Sequence, residues 1–311
     1  MLGIMSFNRR SFLGAGALGT VGAMGGLNLA AAQESGFPKS RLAISSYSYW
    51  HFREPKVTID TVIEKAADLG VGGVDVLHRQ MDSEDVGYLR ALKRRAFRHG
   101  VDLVCLSIHQ DFVSPDRESR LENIEHTKHC IELASEMGIP SIRLNSGRWG
   151  TSGSFNELMA RRGLEDPIPG YSEDDAFDWC IESIEACLPH AERHGVILAL
   201  ENHWGLTRTP EGLLRIANAI HSPWLGVLMD TGNFLEEPYE KLEAIASKTV
   251  FVQAKTYYGG GEWYTLDLDY ARIGRILKEV GYRGYVSLEF EGKAPADDGV
   301  SRSIAMLSAS L

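Results

Sequence analysis

The sequence predicts a (β/α)8 TIM barrel built as a single domain. From Leu42 to the C-terminus, short apolar runs alternate eight times with longer amphipathic stretches, and eight such units in about 270 residues is the rhythm and size of that barrel. Several apolar runs end abruptly in polar residues. The clearest is Val196-Ile-Leu-Ala-Leu-Glu-Asn-His-Trp-Gly-Leu206, a β-branched and aliphatic run that stops at Glu201, Asn202 and His203. Such a run reads as a strand buried on both faces, ending at the rim of a parallel sheet. An open doubly wound sheet is the competing architecture, but no Gly-rich phosphate turn follows an early strand.

Residues 1–32 are a different kind of sequence. Asn8-Arg9-Arg10-Ser11-Phe12-Leu13 precedes a Gly/Ala-rich, weakly hydrophobic run and then Leu29-Ala30-Ala31-Ala32-Gln33. Paired arginines, a modest apolar stretch and an Ala-x-Ala ending describe a twin-arginine export signal, with cleavage expected after Ala32. The mature barrel domain is then 33–311, and its location periplasmic or extracellular. No later stretch offers about 18 strongly apolar residues, so no membrane anchor is expected once the signal is removed.

Within the domain the strands are expected at Leu42–Tyr47, Gly73–Leu77, Asp102–Ser107, Ser141–Asn145, from Val196, Leu225–Met229, Thr249–Gln253 and Tyr285–Glu289. Helical periodicity fills Thr58–Leu69, Asp82–His99, Arg120–Met137, Ser172–His194, Thr209–Ile220, Tyr239–Ala246, Asp269–Val280 and Val300–Ser310. Gly70, Gly100, Gly138, Gly195 and Gly281 stop five of these stretches, and Thr209-Pro210 has the form of an N-cap followed by proline at the first helical position. The Gly, Ser and Pro content of Ser146–Tyr171 reads as a long loop, placed to lie over the face where barrels carry their sites.

The chain carries 32 Lys and Arg against 42 Asp and Glu, a net charge of −10. That balance argues against a nucleic-acid partner, whose backbone demands clustered positive charge. Cys105, Cys130, Cys180 and Cys187 show neither a CxxC pair nor a Cys/His zinc spacing, and read as buried thiols.

The strand ends carry the chemistry. His109 follows the third strand, Asn145 the fourth, Glu201 and His203 the fifth, Asp230 and Asn233 the sixth, Gln253 and Lys255 the seventh, Glu289 and Glu291 the eighth. Residues i and i+2 of a strand share a face. With Ala199, Leu228, Phe251 and Ser287 turned inward, Glu201, Asp230, Gln253 and Glu289 converge from four consecutive strands. Three carboxylates in one cleft repel unless a cation neutralises them, and an all-oxygen donor set favours Mn²⁺ or Mg²⁺, with Co²⁺ as an alternative, over zinc. The competing arrangement pairs these carboxylates with Arg143 or Lys255 inside the barrel. For Glu201 alone, capping of the next turn is a further alternative.

Leu200-Glu-Asn-His-Trp-Gly-Leu-Thr207, Met229-Asp-Thr-Gly-Asn233, Val252-Gln-Ala-Lys255 and Ser287-Leu-Glu-Phe-Glu-Gly292 resemble the sugar phosphate isomerase/epimerase family of xylose isomerase-like barrels. The resemblance runs from about Leu42 to the C-terminus. It implies a metal held by Glu, Asp, His and Glu on strands five to eight, to which Glu201, Asp230 and Glu289 correspond. Gln253 departs, standing where the family's epimerases have histidine, and Asn233 stands where a substrate-contacting histidine follows the Asp. The implied reaction is proton transfer next to a ketone through an enediolate. Glu201 and Glu289 would be the acid–base pair, with His109, Asn145, His203, Asn233 and Lys255 as substrate contacts.

The expected substrate is a small sugar, unphosphorylated because the chain is exported and shows no phosphate cradle. Elimination from a 3-keto sugar or 3-keto glycoside, as a lyase or hydratase, is the alternative chemistry. A sugar-binding barrel without catalysis is the alternative class, against which the joint presence of Glu201 and Glu289 argues. A homodimer is compatible with a barrel of this size.

Overall fold

A computed structural model describes residues 38–311, so the export signal expected at 1–32 lies outside the described residues. Eight parallel strands close in sequence order: β1 (Leu42–Ser45), β2 (Gly73–Leu77), β3 (Asp102–Ser107), β4 (Ser141–Leu144), β5 (Ile197–Glu201), β6 (Leu225–Asp230), β7 (Thr249–Thr256) and β8 (Val286–Phe290). The helices lie between them: α1 (Ile59–Asp68), α2 (Val86–His99), α3 (Arg117–Met137), α4 (Phe155–Ala160), α5 (Glu173–His194), α6 (Pro210–Ala219), α7 (Pro238–Ala246), α8 (Tyr270–Glu279) and α9 (Ala296–Ser310). Among the described residues no helix is long and apolar enough to cross a membrane.

Local signals set these boundaries. Thr58 and Thr209 cap α1 and α6 by accepting the Thr61 and Gly212 amides, and Ser172 with Asp175 forms a reciprocal capping box on α5. Gly100, Gly138 and Gly195 close α2, α3 and α5 in the left-handed conformation. Each helix then buries an apolar stripe on the barrel wall. Leu213 and Ile216 of α6 are fully buried, worth roughly 2 kcal/mol apiece.

Inside the barrel, Ala43, Val104, Cys105, Ala199, Leu228 and Phe251 pack on one another as a separate apolar plug. That plug fixes the parity. With Ala199, Leu228 and Phe251 inward, Glu201, Asp230 and Gln253 stand on the same inward face, one pleat nearer the C-terminal rim.

Several boundaries differ from the sequence reading by a few residues, as at α2, α3 and α9, which begin at Val86, Arg117 and Ala296. Three differences bear on the site. β7 runs past Gln253 to Thr256 because Gln253, Ala254, Lys255 and Thr256 stay in register with Ser287, Leu288, Glu289 and Phe290 of β8. The chain leaves β1 at Ser46 for a helical turn over Ser46–Tyr49, where Ser46 Oγ accepts the Leu77 amide at 2.9 Å. The stretch 146–171 is not all loop: Ser154 caps α4 by accepting the Glu157 amide.

Candidate active site

A cavity of about 710 Å³ opens at the C-terminal ends of the strands, the size of a small-molecule site. Glu201, Glu289, His109, Asn145, His203 and Lys255 line it. Asp230, Gln253 and Asn233 do not reach its wall. All three are buried, at most 4% exposed.

The polar floor is one connected network. Glu201 accepts from Asn145 Nδ2 at 2.7 Å and Asn233 Nδ2 at 3.2 Å, with Arg143 Nε 3.6 Å away. Lys255 Nζ donates to Asn233 Oδ1 at 2.8 Å and lies 3.1 Å from Glu291, 3.4 Å from Asp230 and 3.5 Å from Glu289. Asn202 ties the ends of β5 and β6 together, accepting the Asp230 amide at 2.7 Å and donating to its carbonyl at 2.8 Å. The cations that the sequence offered as partners for the carboxylates therefore take that place: Arg143 beside Glu201, Lys255 beside the other three.

Burial raises the Glu201 and Asp230 carboxyls above the ordinary range, opposed by Arg143 in the first case and Lys255 in the second. Burial works against the Lys255 charge, but Asp230, Glu291 and Glu289 carry its pKa well above the usual lysine value. Burial, reinforced by Arg143, drives His109 down to about 2 and His203 well below the histidine range. Both imidazoles are neutral at physiological pH, each with one N–H donor and one acceptor nitrogen.

Sequence reasoning passed over Asp75, which is fully buried on β2. It accepts from Ser107 Oγ and Gln253 Nε2, both at 2.8 Å, and burial pushes its carboxyl up to about 6. The signal was present, since an acid in the middle of the apolar run Gly73–Leu77 needs a partner. Glu291, a strand-end residue to which the sequence assigns no role, is a further carboxyl on the cavity wall beside Glu201, Glu289 and Asp111; it sits two residues beyond Glu289 and therefore on the same face.

The donor chemistry fits a hard divalent cation. Gln253 spends its amide nitrogen on Asp75, which leaves Oε1 buried with no hydrogen-bond partner, and Asp230 Oδ2 likewise has no hydrogen bond, though Lys255 Nζ lies 3.4 Å from it. Such groups are costly unless something fills them. The gathering is loose, however. Glu201, Asp230 and Glu289 are not among the described triads whose ligand atoms all lie within 4.8 Å of one another, and Lys255 holds the space beside them.

The fold and this rim site define the class. The model for xylose isomerase-like TIM barrels matches residues 63–310, and the chain belongs to that family. A D-tagatose 3-epimerase-like protein superposes with a TM-score of 0.68 at 18% identity, covering 86% of this chain and 98% of that one. D-psicose 3-epimerase from Clostridium cellulolyticum H10, solved with D-tagatose, gives 0.68 at 15% identity, over 87% and 99%. The 3-keto-D-glucoside 4-epimerase of E. coli gives 0.66 at 16%, over 86% and 98%. At these identities the likeness shows the fold. No curated protein matches the sequence.

Proposed function

We propose that this chain is a sugar isomerase or epimerase that moves a proton at a carbon next to a ketone. The observation that carries the reading is the placement of Glu201 and Glu289 on one cavity from strands three apart around the barrel, with Lys255 and neutral histidines beside them. The family membership and the epimerase titles among the superposed structures support it.

A divalent cation, Mn²⁺ or Mg²⁺ rather than zinc, held by Glu201, Asp230, Gln253 and Glu289, would supply positive charge for the oxyanion that forms when the proton leaves. The chain's own groups do the rest. Glu201, its carboxyl raised by burial and opposed by Arg143, would be one of the two proton-transfer groups. Glu289 approaches from another wall, so removal by one carboxyl and return by the other inverts the carbon. His109, His203 and Asn145 offer donors and acceptors to sugar hydroxyls, while Trp204, Trp263 and Tyr264 supply apolar walls.

One observation favours elimination as a second reading. Glu291 is a further carboxyl on the same cavity, raised by burial and 3.1 Å from Lys255, and it would be the group that protonates what leaves the β carbon. A panel of ketoses and 3-keto glycosides in D₂O with Mn²⁺ separates the two. Deuterium at an epimerised carbon, lost in Glu289→Gln, supports epimerisation. Release of an aglycone or water supports elimination, and binding without exchange or release rejects both. We also propose export through the twin-arginine route, read out as a secreted chain beginning at Gln33; a mature N-terminus elsewhere rejects that cleavage.

A further inference from the structure

We propose a second metal site on the outside of the barrel, between the turn after β2 and helix α3, built for a borderline-soft divalent cation such as Zn²⁺. His78 comes from the turn, and His126 and Cys130 from α3. The ligand atoms of all three lie within 4.8 Å of one another. Four residues apart on one helix, His126 and Cys130 face the same way, and Cys130 Sγ is 3.7 Å from His126 Nε2. The His78 and His126 rings meet at 5.6 Å.

The setting is that of a metal site rather than a chance meeting of side chains. Glu84 hydrogen-bonds His78 Nε2 at 2.7 Å and His129 Nε2 at 2.8 Å. A carboxylate on one ring nitrogen puts the proton there and leaves Nδ1 of His78 bare, which is how ligating histidines are oriented from behind. Cys130 is fully buried while the two histidines are half-buried, so a cation has a way in. The other such triad among the described residues, Glu132, His190 and His194, lacks this preparation. Both ring nitrogens of His190 are already engaged, Nε2 by Glu132 at 3.0 Å and Nδ1 by Arg193 at 2.7 Å.

Two imidazoles and a thiolate with one position left for water or carboxylate is a zinc donor set, and its sulfur selects against the hard ions suited to the all-oxygen barrel centre. On binding, the Cys130 S–H bond breaks, the proton leaves to solvent and a sulfur–metal bond forms, with no change of oxidation state. The bound ion would pin the His78–Gln80 turn to α3, and Arg79 of that turn lines the cavity. The site escaped the sequence reading because His78 stands apart from the other two ligands along the chain.

Cobalt spectroscopy tests it. Purified protein stripped with a chelator and titrated with Co²⁺ should develop a sulfur-to-cobalt charge-transfer band, removed by added Zn²⁺. The band should vanish in Cys130→Ser and weaken in the half-buried His126→Gln. Zn²⁺ should also raise the melting temperature of the wild type more than that of His126→Gln, a readout that survives if Cys130→Ser folds poorly. The barrel centre's proposed donors are all oxygens, so the band reports on this site whatever becomes of the proposed reaction. Absence of the band in folded wild type, or its persistence unchanged in Cys130→Ser, overturns the proposal.

Discussion

Replacing Lys255 by Met keeps the length and bulk of the side chain and removes its charge from the floor of the cavity. The ammonium lies 3.1–3.5 Å from Glu291, Asp230 and Glu289. At an effective dielectric of about 20, a unit pair at that separation interacts by about 5 kcal/mol. Desolvation of the ammonium offsets part of this, and the stranded carboxyls take up protons to escape the rest. Breaking a buried pair on one side costs roughly 3–5 kcal/mol, which for a domain of this size lowers the melting temperature on the order of 10 °C.

The loss has a definite pH sign. Lys255, raised above the lysine range in the fold, contributes fully across pH 5–8. The pH dependence therefore comes from Asp230 and Glu291, already raised by burial and raised further without the lysine. A carboxyl whose folded pKa is raised binds its proton more tightly when folded, so stability falls as pH rises through the shifted range. Differential scanning calorimetry should show the deficit of Lys255→Met largest at pH 8 and shrinking toward pH 5. Equal melting at pH 8 would refute the charge balance, and a deficit that ignores pH would assign the loss to packing instead.

Further outcomes follow from the same network. Gln253→Ala strips Asp75 of a donor and should cost about 1–3 kcal/mol in urea unfolding, with weaker Mn²⁺ binding by titration calorimetry; unchanged Mn²⁺ affinity would remove Gln253 from the donor set. His109, held down to about 2 by burial, contributes stability that is whole above its unfolded pKa near 6.5 and is lost as pH falls. Between pH 7.5 and 5 the wild type should therefore lose about 2 kcal/mol more than His109→Gln, and parallel unfolding curves would contradict the neutral, desolvated imidazole. Glu201→Gln and Glu289→Gln should each cut exchange of deuterium into substrate by roughly 10²- to 10⁴-fold. Full activity in either one ends the two-base reading.

The fold was legible because a closed parallel barrel repeats one unit, and each unit shows its strand and its helix locally, five of them with a terminating glycine as well. The inward parity was legible for the same reason: Ala199, Leu228 and Phe251 predict which face Glu201, Asp230 and Gln253 occupy, and the plug they form bears this out. What parity does not carry is depth. Register shifts between β2 and β3 at Val74/Asp75 and between β6 and β7 at Val227/Leu228 decide how far up the barrel each side chain stands, and nothing in either strand alone sets them. Gln253 accordingly reaches across to Asp75, a partner 178 positions away, and its amide nitrogen is spent there. That same contact turns the departure from histidine into sense. Glutamine meets the Asp75 carboxylate with its amide nitrogen and leaves its amide oxygen as a buried acceptor without a hydrogen bond. For the cation proposed above, an amide oxygen in place of a histidine nitrogen would favour a hard ion such as Mn²⁺ or Mg²⁺.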